Sequence, residues 1–204
     1  ANAKKRGVNA TVETCHHYLE LDQKLMEKYG PFAKVNPPFR TKSEREELWE
    51  QLLNGDIDII ASDHAPFTYE EKEVGWDNIL AAPSGTPGIE VMVPYVMDKV
   101  LGGKLTLSKA VELLSTEPAE LFGISGQKGR LSPGLDADFL FFDPEGEWSV
   151  ELDELKTKAR RSNKPWAGYQ FNGRIASTWL RGKKVYDGEE VVAGGGTGRF
   201  VRPD

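Results

Sequence analysis

The sequence predicts an α/β protein in which parallel strands alternate with helices, followed by a small unit of antiparallel strands. Residues 8–63 show the order strand, loop, helix, strand, which is the repeat of a parallel α/β unit. The apolar run that begins at Ile59 is typical of a short strand buried on both faces. After Gly123 the pattern changes to short alternating strands with glycine turns. We therefore expect one domain over residues 1–123 and a second over residues 124–204.

The elements of the first domain follow from local patterns. Residues 8–14 are rich in β-branched side chains and predict the first strand. Residues 43–53 predict a helix with Ser43 as its N-cap and Glu46 completing a capping box. The second strand follows and ends at Asp63. Residues 66–88 show little periodicity and predict a long loop, the kind of segment that often carries function.

The remaining elements are helices and then strands. Residues 90–101 and 108–122 predict two helices, the second with Ser108 in front of it. Residues 139–142, 174–180 and 184–186 predict the strands of the antiparallel unit. The glycine run at residues 194–198 lacks the lysine and the helix of a phosphate-binding loop, so it predicts a flexible tail.

Composition excludes several classes of protein. The chain has 204 residues, of which 39% are hydrophobic and 28% charged, as expected of a soluble globular protein. It contains no apolar run long enough to cross a bilayer. The net charge of -6 and the lack of a basic cluster argue against nucleic acid as the main partner. The single cysteine, Cys15, cannot support an internal disulfide framework, which fits a reducing cytoplasm.

Asp63 is the first candidate for chemistry, because it stands where an apolar strand ends. In an α/β barrel, residues at the carboxyl end of a strand face the catalytic mouth. A carboxylate there can bind a metal ion or take a proton from water. The alternative is that Asp63 caps the next loop and that His64 is a half-buried histidine with satisfied hydrogen bonds.

Five segments in this order resemble the carboxyl-terminal half of the cyclic amidohydrolases, which include dihydroorotase, allantoinase and the hydantoinases. The segments are residues 12–19, 34–40, 59–66, 84–90 and 134–140, and the resemblance covers essentially the whole chain. It implies the last two strands of a TIM-like (β/α)8 barrel, followed by part of a small antiparallel β-sandwich domain.

The resemblance also implies metal-dependent hydrolysis of a cyclic amide. Asp63 matches the acid that serves as metal ligand, as general base and then as general acid. The metal is expected to be divalent, with zinc favoured, and the complete enzyme is expected to hold one or two ions. Neither His16 nor His17 matches a ligand of the family, and in a strand only one of them could face the mouth. We expect His17 and His64 to position other groups, and Cys15 to be an inert thiol.

The other metal ligands of the family come from strands that would precede Ala1. The resemblance therefore implies a fragment that is inactive alone and needs the amino-terminal half of the barrel as its partner. The complete enzyme is expected to be a cytoplasmic homo-oligomer acting on a small cyclic amide. Two alternatives remain open: a split enzyme completed by a separate chain, and a non-catalytic, dihydroorotase-like partner subunit.

The motifs disagree about the substrate. Asn36, before Pro37 and Pro38, matches a dihydroorotase position that hydrogen-bonds the pyrimidine ring, although it could also be a plain turn residue. Pro87 and Gly88 resemble a backbone segment that contacts the substrate ring. Phe67, however, stands where dihydroorotases usually have a histidine that holds the substrate carboxylate. The main prediction is a dihydroorotase-like enzyme involved in pyrimidine biosynthesis, and the alternative is an allantoinase or a hydantoinase (dihydropyrimidinase).

Overall fold

The computed structural model describes residues 2–203. Contacts between residues divide the chain into two compact units. The first runs to Tyr95 and includes Ser149–Gln170, and the second consists of Val96–Trp148 together with the segment that begins at Phe171. Each unit combines two separate stretches of the chain, so this division does not test a single boundary at residue 123. The boundary therefore remains a prediction.

The first unit contains a pair of parallel strands, β1 (Glu13–Cys15) and β2 (Ile59–Ala61). Cys15 lies opposite Ala61 in this pair. The helices of the unit that precede residue 89 are α1 (Asn2–Lys5), α2 (His16–Glu20), α3 (Leu25–Tyr29), α4 (Lys42–Leu53) and α5 (Tyr69–Glu73). Strand β1 is shorter than the predicted strand at residues 8–14 and extends one residue beyond it.

Helix α4 is anchored by its buried residues and by a capping box at its start. It buries Trp49 and Leu52, and the Trp49 indole donates a hydrogen bond of 2.7 Å to the Leu19 carbonyl. The N-cap is Thr41, whose hydroxyl accepts from the Glu44 amide. The prediction of Ser43 and Glu46 as the capping pair was therefore wrong. The same spacing of hydroxyl and acid occurs twice, and the earlier pair is used because Thr41 has the extended backbone that a cap needs.

The segment 66–88 is not wholly a loop. Thr68 and Glu71 form a second capping box, which starts α5, and a 3-10 turn at Val74–Trp76 follows it. Five residues are too few for a periodic apolar pattern to reveal a helix, but the capping box was visible in the sequence.

Helix α6 (Ile89–Leu101) confirms the helix predicted at residues 90–101. The next predicted helix is present but irregular: α7 (Leu107–Val111) continues through a π-helical turn at Glu112–Thr116 into α8 (Glu117–Leu121). Its N-cap is Thr106, and Ser108, expected in front of the helix, lies within its first turn. Pro118 lies in the first turn of α8, directly after the π-helical turn.

A three-stranded sheet completes the structure, with the order β3 (Phe139–Ser149), β4 (Gln170–Leu180), β5 (Lys183–Tyr186). Strands β4 and β5 are antiparallel. Just before β3, the Lys128 ammonium lies 2.7 Å from the Asp136 carboxylate and 2.5 Å from that of Asp138. The predicted combination of parallel and antiparallel strands is confirmed. None of the described helices is long and apolar enough to span a membrane.

Candidate metal and substrate site

Three potential metal donors meet at the carboxyl ends of the parallel strands. Cys15 is the last residue of β1, His17 follows two positions later, and Asp63 comes two positions after β2 ends. Because the carboxyl ends of parallel strands lie at the same edge of a sheet, the register of Cys15 with Ala61 brings these residues together. The Cys15 sulfur, a ring nitrogen of His17 and a carboxylate oxygen of Asp63 all lie within 4.8 Å of one another. We call these residues the donor cluster.

Asp63 has an unusual backbone conformation. Its φ angle is +42°, in the left-handed region that non-glycine residues rarely adopt. The residue is exposed, whereas Cys15 and His17 are buried. Strained backbone of this kind persists only where surrounding structure holds it, and it is often found at functional sites. The sequence placed Asp63 correctly at the end of a buried strand.

The donor cluster fits the divalent metal that the resemblance to the cyclic amidohydrolases implies. Sulfur, imidazole nitrogen and carboxylate oxygen are the three donor types found around zinc in proteins. His17 is completely buried, and neither of its ring nitrogens has a hydrogen-bond partner among the described residues. A buried polar atom without a partner costs about 1–3 kcal/mol, so it calls for an explanation, and an ion bound there would supply one.

Burial keeps the thiol and the two adjacent histidines uncharged when no cation is present. Burial, with smaller contributions from Asp63 and Glu13, raises the pKa of the Cys15 thiol to about 12. Burial lowers the pKa of His17 to about 4, and burial together with the neighbouring His17 lowers that of His16 to about 3. A neutral thiol is a poor nucleophile, which supports the interpretation of Cys15 as unreactive by itself.

His16 and His17 do not lie in a strand, as the sequence argument assumed, although only one of the two joins the donor cluster, as that argument expected. Both belong to helix α2, which starts directly after β1, and both are fully buried. The His16 ring stacks on Trp166, with centroids 5.4 Å apart. The His17 ring instead contacts Tyr18 and Phe39, at centroid distances of 4.2 and 5.9 Å. His16 is thus a packing residue, and His17 is the histidine that joins the donor cluster.

His64 holds the segment that carries Pro87 and Gly88. Its Nδ1 accepts hydrogen bonds from the backbone amides of Gly88 and Ile89, at 3.1 and 3.3 Å. These amides start helix α6, where backbone donors otherwise lack partners. A Cβ at Gly88 would lie 2.6 Å from the Ser62 carbonyl oxygen and 2.7 Å from the His16 ring, so only glycine fits. Pro87 and Gly88 are both buried.

Asn36 is not part of the donor cluster. In the sequence it lies between His17 and Asp63, after a 3-10 turn at Gly30–Ala33. It is exposed and precedes Pro37 through a cis peptide bond. The Tyr18 hydroxyl donates to the Pro37 carbonyl at 2.8 Å. Because Tyr18 also packs on the His17 ring, this bond connects the Asn36 loop to the cluster.

Lys72 is a residue that the sequence analysis missed. It is 1% exposed, and its ammonium donates to the carbonyls of Lys34, Pro83 and Gly85 at 3.0, 3.0 and 2.8 Å. Burial, and to a smaller extent Lys34, lowers its pKa to about 8. Lysine is rarely buried, and no sequence pattern predicts an inward-facing lysine on a five-residue helix. Lys72 secures the segment that leads into Pro87 and Gly88.

Comparison with known proteins gives one consistent family. Residues 2–185 match the amidohydrolase family. The chain is 38% identical over its whole length to an allantoinase from Rubrobacter xylanophilus and covers 44% of that protein. Among solved structures it is similar to a dihydropyrimidinase from Brevibacillus agri, with 32% identity, a TM-score of 0.91, and coverage of 99% of this chain and 44% of the other.

A second solved structure, the L-hydantoinase (dihydropyrimidinase) from Arthrobacter aurescens, gives the same result. It is 35% identical, with a TM-score of 0.87, and the match covers 94% of this chain and 42% of that one. The chain therefore spans less than half the length of the proteins it resembles.

Proposed function

Because the chain belongs to the amidohydrolase family, we propose that it forms the carboxyl-terminal part of an enzyme that hydrolyses a cyclic amide with the help of a divalent metal ion. The observation that carries the proposal is the position of Asp63. Its exposed carboxylate stands at the carboxyl end of a buried parallel strand, next to two further donor groups. In this proposal β1 and β2 are the last two strands of a (β/α)8 barrel.

Asp63 has two roles in the proposed reaction. A bound metal ion, for which zinc is our proposal, would polarise the amide carbonyl and make water nucleophilic at neutral pH. The Asp63 carboxylate would help to hold that ion and would accept the proton of the attacking water. It would then donate this proton to the leaving ring nitrogen. The exposure of Asp63 supports this proposal, because a proton carrier must reach both water and substrate.

The residues around Gly88 would orient the substrate ring. His64 holds the backbone of Gly88 and Ile89, and Lys72 holds the carbonyls of Pro83 and Gly85. Both contacts restrict the segment that we propose to face the ring. We also propose Asn36 as a hydrogen-bonding group for the ring, presented by the Asn36–Pro37 loop.

A cyclic ureide such as allantoin or hydantoin suits the chain at least as well as dihydroorotate. The relatives named above are an allantoinase, a dihydropyrimidinase and an L-hydantoinase, and they give no specific support to the dihydroorotase prediction. Phe67, half-buried near Gly85, has no donor for the carboxylate that dihydroorotate carries. We therefore place the uncharged rings first and retain dihydroorotate as a substrate to be assayed.

The test is a chimera in which this chain replaces the matching segment of the Rubrobacter allantoinase. We expect the folded chimera, loaded with zinc, to open allantoin, hydantoin or dihydrouracil, measured by loss of ring absorbance or by product chromatography. Asp63→Asn should lower kcat by about a hundredfold or more, because it removes the proton carrier. Asp58→Asn is the matched control, since Asp58 lies before β2 and pairs with Lys4.

Two outcomes would count against the proposal. One is a folded, metal-loaded chimera that opens none of these rings, which would favour the non-catalytic partner subunit. The other is an Asp63→Asn chimera with undiminished kcat, which would remove Asp63 from the reaction. Turnover of dihydroorotate alone would restore the dihydroorotase assignment.

A further inference from the structure

The donor cluster suggests more than the resemblance assigns, since the family motif assigns a metal role only to Asp63. We infer that Cys15, His17 and Asp63 bind one divalent, thiophilic cation directly. The cation belongs to the class of Zn²⁺, Co²⁺ and Cd²⁺. The inference shares Asp63 with the proposed function, but it concerns binding by this chain alone.

The chemistry of the donors defines the class of cation. Thiolate and imidazole prefer borderline and soft ions, whereas Mg²⁺ and Ca²⁺ prefer sites made of oxygen donors. The cluster offers one sulfur, one nitrogen and one carboxylate oxygen donor. When the cation binds, the Cys15 sulfur forms a bond to it and the thiol proton passes to solvent. No oxidant or other reactant is required.

His17 provides the independent observation. Its ring is completely buried, and both nitrogens lack hydrogen-bond partners among the described residues, although one of them lies in the cluster. The ring nitrogens of His16 also lack hydrogen-bond partners among the described residues, but the His16 ring stacks on Trp166 and lies against the position of Gly88, and it is not one of the donors that meet at the cluster. A cation at the cluster would satisfy one nitrogen of His17 without displacing any existing hydrogen bond.

The spacing of the donors permits binding with a small movement. Bonds of about 2.3 Å to sulfur and about 2.0 Å to nitrogen and oxygen place tetrahedral donors roughly 3.3–3.6 Å apart. The three atoms now lie within 4.8 Å of one another, and Asp63 is the exposed member of the set. Three protein ligands with one side open to solvent are typical of a zinc site that also admits water or substrate.

The experiment adds Co²⁺ to the full chain, freed of metal with a chelator, and records the absorption spectrum. We expect one Co²⁺ per chain and a sulfur-to-cobalt charge-transfer band in the near ultraviolet. Cys15→Ser should remove the band, and His17→Gln and Asp63→Asn should each weaken Co²⁺ binding by about tenfold or more. His16→Gln is the matched control and should bind Co²⁺ as the parent chain does.

The outcomes separate this inference from the proposed function. Bound Co²⁺ without a sulfur band in the unmodified chain would overturn the inference. It would not contradict the proposed function, which the activity of the chimera tests. A band that survives both His17→Gln and Asp63→Asn at full affinity would also overturn it. An inactive chimera that shows the band would support the cation site and contradict the hydrolase. Circular dichroism of each variant shows whether it is folded.

Discussion

At the scale of single residues, His16 and His17 form a buried pair of rings, and one of the two, His17, also offers a nitrogen donor to the cluster. The two rings lie 5.3 Å apart, edge to face, in the fully buried part of the first unit. Neutral imidazoles are compatible with such a place, but two positive charges are not. The pair therefore makes the stability of this unit sensitive to mild acid.

We predict that the free energy of unfolding of the metal-free chain falls as pH is lowered from the ordinary histidine pKa of 6.5 towards about 4. Both folded pKa values are lowered, so below pH 6.5 the unfolded chain takes up protons that the folded chain does not. The shift at His17 alone corresponds to about 3 kcal/mol. Urea unfolding at several pH values, with chelator present, measures the loss.

The variant His16→Gln/His17→Gln isolates the histidine contribution from that of the carboxylates, because only the difference between the two chains is compared. We expect a clearly weaker pH dependence in the variant between about pH 6.5 and pH 5. Identical pH dependence in both chains would mean that these histidines are protonated in the folded state.

At the scale of elements, helix α4 has two candidate N-caps, Thr41 and Ser43, with the same local sequence pattern. Thr41 and Ser43 both stand three positions before a glutamate, and both follow the Pro37–Pro38 turn. The structure uses Thr41, whose side chain is paired with both the amide and the carboxylate of Glu44. Ser43 is an exposed residue in the first turn of the helix.

We predict that Thr41→Ala lowers the free energy of unfolding by about 1 kcal/mol, because it removes the acceptor for a helix amide. The matched substitution Ser43→Ala should change it by less than about 0.5 kcal/mol. Urea unfolding of both variants at neutral pH makes the comparison. A larger loss for Ser43→Ala would show that the helix starts two residues later in solution.

Helix α5 carries Lys72, whose ammonium fixes the backbone of the loop that precedes α6. The Lys72 ammonium binds three backbone carbonyls, and Lys34 donates to those of Ile79 and Ala82 at 2.8 and 2.5 Å. The Gly85 amide in turn donates to the Lys34 carbonyl at 2.9 Å. The loop before α6 is thereby held through its main chain.

We predict that Lys72→Met lowers the free energy of unfolding by about 3 kcal/mol or more, since it removes the Lys72 donor from the carbonyls of Pro83 and Gly85. Hydrogen exchange should become faster at the amides of Gly85, Thr86, Gly88 and Ile89, of which the last two are the His64 partners. Lys109→Met, which breaks a surface pair with Glu112, is the control and should leave this segment protected. Unchanged exchange in Lys72→Met would show that the loop does not depend on this lysine.

At the scale of the whole molecule, the two units have different internal organisation. The first carries the parallel strands and the donor cluster, and the second carries the irregular helix 107–121 and most of the three-stranded sheet. Two parallel strands of three residues each make a small sheet, and parallel sheets are normally covered on both faces. The chimera with the Rubrobacter allantoinase would place these two strands beside the remaining strands of that enzyme, so the proposed activity is best measured there.

The sequence by itself determined the order strand, helix, strand formed by β1, α4 and β2, the position of Asp63 at the end of a buried strand, and the resemblance to the cyclic amidohydrolases. These features depend on local patterns, because alternation, apolar runs and capping residues act between near neighbours in the chain. The sequence did not determine the extents of the strands, the choice of Thr41 over Ser43, or the helix at residues 69–73, since competing local signals differ by about 1 kcal/mol or less.

Only the tertiary structure decided what surrounds Asp63. The turn from β1 directly into α2 brings His17 to Cys15, and the register of β1 with β2 then brings both to a carboxylate that lies 46 positions beyond His17 in the sequence. The burial of Lys72 likewise depends on carbonyls from two other segments. Such contacts between distant parts of the chain arise when strands pair and helices pack, so no local pattern of residues encodes them.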